Sequence, residues 1–355
     1  MRITVLATLL CIAGPTFADA PRLENGKPDL SGTYDVSTLT PLQRPSEFGD
    51  NLSLTPEQAQ AIMQANRERI ATRDKNRGPI TEAPPAGGAP PVGIGDEFRE
   101  SSGAGNVGGY NNFWVDPGDS VFTVDGKFRT SIIVDPPNGQ MPKPTAAALE
   151  RAQERRKLRR PNDGTAWWVN VEGPGPYDGP ESLGISERCI VGFTGAAPTF
   201  PSLYNNYKRI VQNEDHVMIL IEMVHDARVV RMNAEHRPDH VRSHMGGSIG
   251  WWEDDTLVVE TTNYSASSGQ ARGGSDTLTV TERFSRMEDG NLLYRFTVND
   301  PSVWHADWTG EYVWRSTNAK VYEYACHEGN YSMGGILRGA RLLESEMPVT
   351  ESSGD

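Results

Sequence analysis

Beyond about residue 190 the chain repeats one pattern: short runs in which apolar and polar side chains alternate, separated by tight polar turns. Alternation with period two marks half-buried β-strands. Residues 207–212, 217–224, 229–232, 250–253, 256–263, 277–286, 291–299, 309–315 and 321–326 all read this way. Turns such as Asn213-Glu214-Asp215, Asp254-Asp255 and Asp289-Gly290 are too short to cross a sheet, so strands adjacent in sequence should pair antiparallel. A meander this long sheds its exposed edges by closing on itself. The predicted fold is therefore mainly β, an antiparallel meander closing into a barrel.

The first half has a different texture. Residues 21–51 are extended and turn-rich, with one strand candidate at 32–36. Thr55-Pro56-Glu57 opens a helix reaching about Arg73, since threonine caps well and proline tolerates the first helical position. Thr145 caps a second helix, from Ala146 to about Arg159, whose basic end complements the helix dipole. Between them, residues 78–109 are rich in Pro, Gly and Ala and read as a loop or linker. A small β unit follows at 112–114, 121–123 and 128–134, folded about Asp125-Gly126.

Met1-Arg2, the apolar run from Ile3 to Ala13 and the small-x-small triplet Ala18-Asp19-Ala20 form a secretory signal pattern. That run is well short of the ~20 residues a spanning helix needs. The expected organisation is a signal peptide at 1–20, an N-terminal arm at 21–110, a barrel domain at 111–344 with a helical insertion near 145–160, and a disordered tail at 345–355. The expected location is the periplasm or the exterior.

Composition narrows the function classes. Twenty-five prolines and 36 glycines argue against a helical bundle. A net charge of -13 repels phosphate backbones, so no nucleic-acid partner is expected. Cys189 and Cys326 remain after signal cleavage; an oxidising compartment favours a disulfide, the alternative being two buried small apolar groups. No CxxC, HExxH or CxxCH occurs, no cysteine sits in a nucleophile context, and no glycine-rich loop leads a strand into a helix. Serine- or cysteine-hydrolase chemistry and nucleotide binding are not expected, and no cofactor is predicted.

Several segments look familiar together: Arg129 through Gly139, Tyr204-Asn205-Asn206-Tyr207, Glu222 through Arg228, Trp252 through Asn263, Glu282-Arg283-Phe284, Asp300-Pro301 and Tyr322 through Tyr331. Taken as a set, over about residues 26–341, they resemble a widespread family of secreted bacterial proteins of unassigned function. The stretch 252–301 also resembles lipocalin-type and fatty-acid-binding-type barrels, which implies a lipocalin-like fold by analogy and says nothing of chemistry.

Candidate chemistry gathers at strand ends. His225-Asp226 closes an apolar run in which both faces are hydrophobic, as in a central strand. Glu222 inside that run needs a cation, with Arg228 the natural choice; the pair is either structural or functional. Histidine can move protons near neutrality, and a nearby carboxylate fixes its tautomer. His327-Glu328 ends the strand expected at 321–326, which would put Glu323 and His327 on one face, and Gly329 would turn Asn330 toward a ligand. His327 reads equally as a structural hydrogen bonder. Glu282 shares a strand face with Leu278, Val280 and Phe284, so it pairs with a buried base or lines a cavity.

If the barrel gathers His225, His327, Glu282 and Glu323, they have the ingredients of acid–base catalysis, or, as a minority alternative, of a divalent-metal site. The expected roles are His225 as acid or base, Glu222 or Asp226 orienting it, and His327 or Glu328 as counterpart. Asn206, Arg228, Tyr324, Asn330 and Trp304 would hold substrate. His236, His240 and His244 recur every four residues, but Pro238 breaks the register and favours a surface loop. The function expected is a cofactor-independent periplasmic lyase or hydrolase acting on a small aromatic or carbohydrate-like molecule. The alternatives are a carrier holding an apolar small molecule in the barrel, and a partner-binding role for residues 78–109. Oligomeric state is not legible.

Overall fold

The computed structural model describes residues 21–75, 115–158, 160, 163–266 and 270–347. The signal pattern, the Pro/Gly-rich stretch, the strand expected at 112–114 and the tail beyond residue 347 lie outside the described residues.

Thirteen strands follow in chain order: β1 (Gly32–Asp35), β2 (Ser53–Leu54), β3 (Thr123–Val124), β4 (Lys127–Arg129), β5 (Ile133–Asp135), β6 (Tyr207–Gln212), β7 (His216–Ile221), β8 (Ala227–Met232), β9 (Gly247–Glu253), β10 (Thr256–Thr262), β11 (Thr279–Arg286), β12 (Leu292–Asn299) and β13 (Trp308–Thr317). Nine of them, β1 and β6 to β13, close a barrel in sequence order, because β1 pairs with β6 on one side and β13 on the other. The neighbours are antiparallel except at one seam. There β8 and β9 run parallel over only three residue pairs, Val230 to Met232 against Ser248 to Gly250. The chain between them, residues 233–246, must return to the starting end before β9 begins, so this step is a crossover and not a hairpin.

The alternation seen in sequence builds the interior. Along β12, Leu292, Tyr294, Phe296 and Val298 point inward while Arg295 and Asn299 face out. Tyr34, Phe284, Tyr294, Phe296, Tyr312, Trp308 and Trp314 are all buried, and their rings meet edge to face or tilted at centroid distances of 5.0 to 6.2 Å. Such pairs add stabilisation beyond simple area burial. Gly310 makes room for this packing: a Cβ there would collide with the ring of Phe296, its partner across the ladder. Trp304 belongs to the same cluster, 5.9 Å from Trp308, so the loop aromatic expected to close over a ligand is part of the core.

One polar pair crosses this interior. Arg228 of β8 and Glu282 of β11 form a bidentate ion pair, with side chains 3% and 0% exposed. Tyr294 donates a 2.8 Å hydrogen bond to the same carboxylate. Burial works against the Arg228 charge, but the Glu282 carboxylate outweighs it and the guanidinium pKa is raised. Arg228 is thus the partner of Glu282 and not of Glu222, as the sequence had suggested.

Outside the barrel, β2, β4 and β3 form a small sheet against which helix α1 (Pro56–Lys75) packs through Ala59, Ile62 and Met63. Helix α2 (Ala146–Lys157) starts where Thr145 accepts the Ala148 N–H. A short helix, α3 (Gln270–Gly273), precedes β11. The strand expected at 321–326 does not form. Both edges of β13 are already taken, by β12 and by β1 with β5 alongside, so no ladder remains for it. The chain instead runs extended into the helical turn α4 (Cys326–Gly329) and then helix α5 (Tyr331–Ser345), capped by Asn330. Ala340, Leu343 and Met347 of this end pack on Trp168, so ordered packing extends into the segment expected to be a tail.

Removing one member of a buried pair strands the other. Glu282→Ala is predicted to cost about 3–5 kcal/mol of unfolding free energy, and the joint replacement Arg228→Met with Glu282→Leu to recover much of it. Urea unfolding at neutral pH checks this; a loss under about 1 kcal/mol for the single variant would show the pair is not a fixed part of the core.

Candidate functional site

At the end of the barrel where β7 turns into β8, the chain makes a tight hairpin from Glu222 to Asp226. The Ile221 N–H donates to the Asp226 carbonyl at 2.8 Å and closes it. Within it Val224 and His225 both have positive φ, +60° and +44°. For a β-branched valine this is an outlier, and left-handed non-glycine residues cost about 1–3 kcal/mol each. Strain of this kind clusters where a fold holds side chains for a purpose, and here it divides them into an exposed group and a buried one.

The buried group consists of Lys208, Glu222 and Asp226. Lys208 lies on β6 between Tyr34 of β1 and Ile221 of β7, shares its inward parity with Ile210, and is 0% exposed. Among the described residues its Nζ has no hydrogen-bond partner. Burial lowers its pKa to about 7, even though the charges of Glu222 and Asp226 work the other way. Asp226 is buried too; its Oδ2 accepts the Gly192 N–H at 2.8 Å. Burial raises its pKa to about 6, only partly offset by that N–H and by the nearby charges of His225 and Lys208. Gly195 supplies the space, since a Cβ there would overlap the Asp226 carboxylate. Glu222 accepts the Tyr207 N–H at 3.2 Å, and burial raises its pKa against the backbone donors and Lys208.

His225 forms the exposed group. Its Nδ1 lies 3.2 Å from the Tyr324 carbonyl. A carbonyl only accepts, so Nδ1 carries the proton and the neutral ring offers Nε2 as a base. Tyr324 is held there by its packing on Ile221, Met223 and Val224 and by the Cys189–Cys326 disulfide, which ties two segments 137 residues apart.

The structure separates residues that the sequence had grouped. Glu282 and Arg228 lie in the barrel core as an ion pair. His327, Glu328 and Glu323 are exposed on the segment after β13, and the hydrogen bond His225 makes to that segment goes to the Tyr324 carbonyl and not to His327. Asn330 caps α5 and donates to the Glu187 carbonyl at 2.7 Å. Asn206 clamps its own loop, donating to the carbonyls of Asp116 and Ser202 and accepting the Ser202 N–H. His236 bonds Glu260 and Thr262, and His244 bonds Ser265, so the four-residue histidine spacing joins no common centre. Among the described residues no group of three or more His, Cys, Asp or Glu could hold a metal ion.

Two further signals in the sequence bear on the site. Lys208 stands in register with Ile210 in a strand whose other parity carries Arg209 and Val211, both exposed, so alternation alone marked it as inward. Gly246-Gly247-Ser248-Ile249-Gly250 also has the Gly-x-Ser-x-Gly spacing of a hydrolase nucleophile elbow. Its structural context is wrong for that role. Ser248 lies within β9, buried, its Oγ bonded to Thr261 at 2.8 Å, and not at an exposed strand-to-helix turn.

Comparison with protein-family models, with curated proteins and with solved structures found no match to this chain.

Two outcomes follow from this geometry. Between pH 3.8 and about 6 native Asp226 holds more proton than the unfolded chain, so its contribution makes stability fall as pH rises. Between about 7 and 10.5 native Lys208 holds less, so its contribution makes stability rise. Urea midpoints across pH 4–10 should show each trend abolished in one variant, the acid-side fall in Asp226→Asn and the alkaline rise in Lys208→Met. A Lys208→Met profile that keeps the full alkaline rise rules out the buried amine as its source. Separately, Cys189→Ser is predicted to lower stability by about 2–5 kcal/mol through loss of the long closed loop. It should also speed hydrogen exchange around residues 324–330; unchanged exchange there would mean the bridge does not hold Tyr324 in place.

Proposed function

We propose that this chain is a cofactor-independent acid–base enzyme, a lyase or hydrolase acting on a small aromatic or carbohydrate-like molecule, with its working end at the 222–226 hairpin. The observation that supports it best is the joint burial of Lys208, Glu222 and Asp226 with the Lys208 amine unpartnered. A structural lysine would be expected to form an ion pair as complete as Arg228 with Glu282. Here instead an amine near 7 and a carboxyl near 6 sit within reach of each other's charge, the range in which proton transfer at neutral pH is most effective.

In this reading His225 is the catalytic residue, exchanging a proton with substrate through Nε2, while Asp226 and Lys208 are positioning residues whose charges act behind the ring. The strain at Val224 and His225 keeps the two groups in this relation. The filled barrel interior favours the enzyme over a carrier, which needs that space for its ligand.

The location this reading proposes is the periplasm or the exterior, supported by the N-terminal signal pattern, the Cys189–Cys326 disulfide and the resemblance to secreted bacterial proteins. No described helix is long and apolar enough to cross a membrane.

A panel of chromogenic aryl esters and aryl glycosides tests the chemistry. Turnover should follow a bell-shaped pH profile with limbs near 6 and 7, vanish in His225→Ala, and survive His327→Ala. Nitrogen-15 and carbon-13 NMR titration tests the same site without a substrate: a Lys208 amine titrating above pH 9 together with an Asp226 carboxyl titrating below 4 would end the proposal.

A further inference from the structure

The parallel seam of the barrel leaves an opening. β8 and β9 touch only over three residue pairs, and on the side of Ala227 and Gly247 they part around a crevice of about 520 Å³. That volume suits a small organic molecule. Its walls carry His216, Arg228, Arg231, Arg237 and His244, and among the described residues no carboxylate lines it. In a chain whose net charge is -13, such a local excess of basic side chains is contrary to composition and makes a field that attracts anions. Arg228 adds a second feature. Its two terminal nitrogens are committed to Glu282, but its Nε is buried with no acceptor among the described residues. A buried donor left unmatched is costly. The rest of the wall carries the apolar side chains of Val191, Val229 and Met245 together with Ser243 and Ser248.

We propose that this crevice binds an organic carboxylate with a compact apolar body: the oxyanion set against Arg231 and Arg237 at the mouth, and the body against Val191, Val229 and Met245. Inorganic anions have nothing to place on the apolar wall, and neutral molecules leave the basic groups unused. Arg231 donates to the Glu235 carbonyl and keeps further N–H groups for a ligand. The inference is independent of the acid–base reading of the 222–226 hairpin.

Benzoate, benzyl alcohol and inorganic phosphate are titrated at low ionic strength by calorimetry and by amide NMR, with the mature protein and with the joint variant Arg231→Gln, Arg237→Gln. Neither arginine is part of the core, and thermal melting confirms that the variant is folded. Benzoate should bind saturably and shift the amides of Val229 and Ser248, with benzyl alcohol and phosphate at least tenfold weaker and benzoate at least tenfold weaker in the variant. Absence of saturable benzoate binding, equal binding of the alcohol, stronger binding of phosphate, or a folded variant with unchanged affinity would each overturn the proposal.

Discussion

Closure of the barrel by β1 is the constraint on which the remaining structure depends. β1 has only four residues, yet it satisfies the free edges of both β6 and β13, two strands that would otherwise expose rows of unpaired N–H and C=O groups. Because β1 lies so far ahead of the other barrel strands in sequence, closure is a long-range contact whose loop entropy must be met before it contributes. It also places Tyr34 inside, against Trp314, and brings β1 beside Lys208. With β13 enclosed, the chain that follows has no edge to join and becomes the disulfide-anchored segment that covers the 222–226 hairpin.

Within the closed barrel, burial treats polar groups in two ways. Arg228 and Glu282 meet in bidentate geometry with Tyr294 in support, so the desolvation of each charge is offset by the other. Lys208, Glu222 and Asp226 are buried as well but make no such bidentate pair, and their proton affinities move toward neutrality instead. Desolvation is the same cause in both cases. Geometry decides whether it yields a fixed ion pair or groups able to exchange protons.

The hairpin and the parallel seam flank the same strand. β8 begins at the strained turn that holds His225 and Asp226, and its next residues, Ala227 to Val229, form one wall of the basic crevice. The strand therefore links the two least regular places in the barrel: one where backbone is forced into the left-handed region, the other where the ladder opens.

Much of the fold was legible in the chain. Period-two alternation located the barrel strands, Thr55 and Thr145 marked two helix starts, and the two cysteines were matched to each other. Of the candidate site, Glu222 was legible because a carboxylate inside an apolar run is costly, and His225 and Asp226 because they close that run at a strand end. Helix α5 is not legible because Gly334, Gly335 and Gly339 weaken helix propensity, and tertiary packing against Trp168 with the bonds of Glu344 and Arg341 offsets this. Lys208 escaped because parity shows which side of a strand a residue faces but not whether water reaches it. Alternation is a property of one strand and, with the short turns between strands, is written in local sequence; that β1 closes the barrel between β6 and β13, that β8 and β9 run parallel, and which buried charges find partners depend on contacts between separate strands, and these the tertiary structure alone decided.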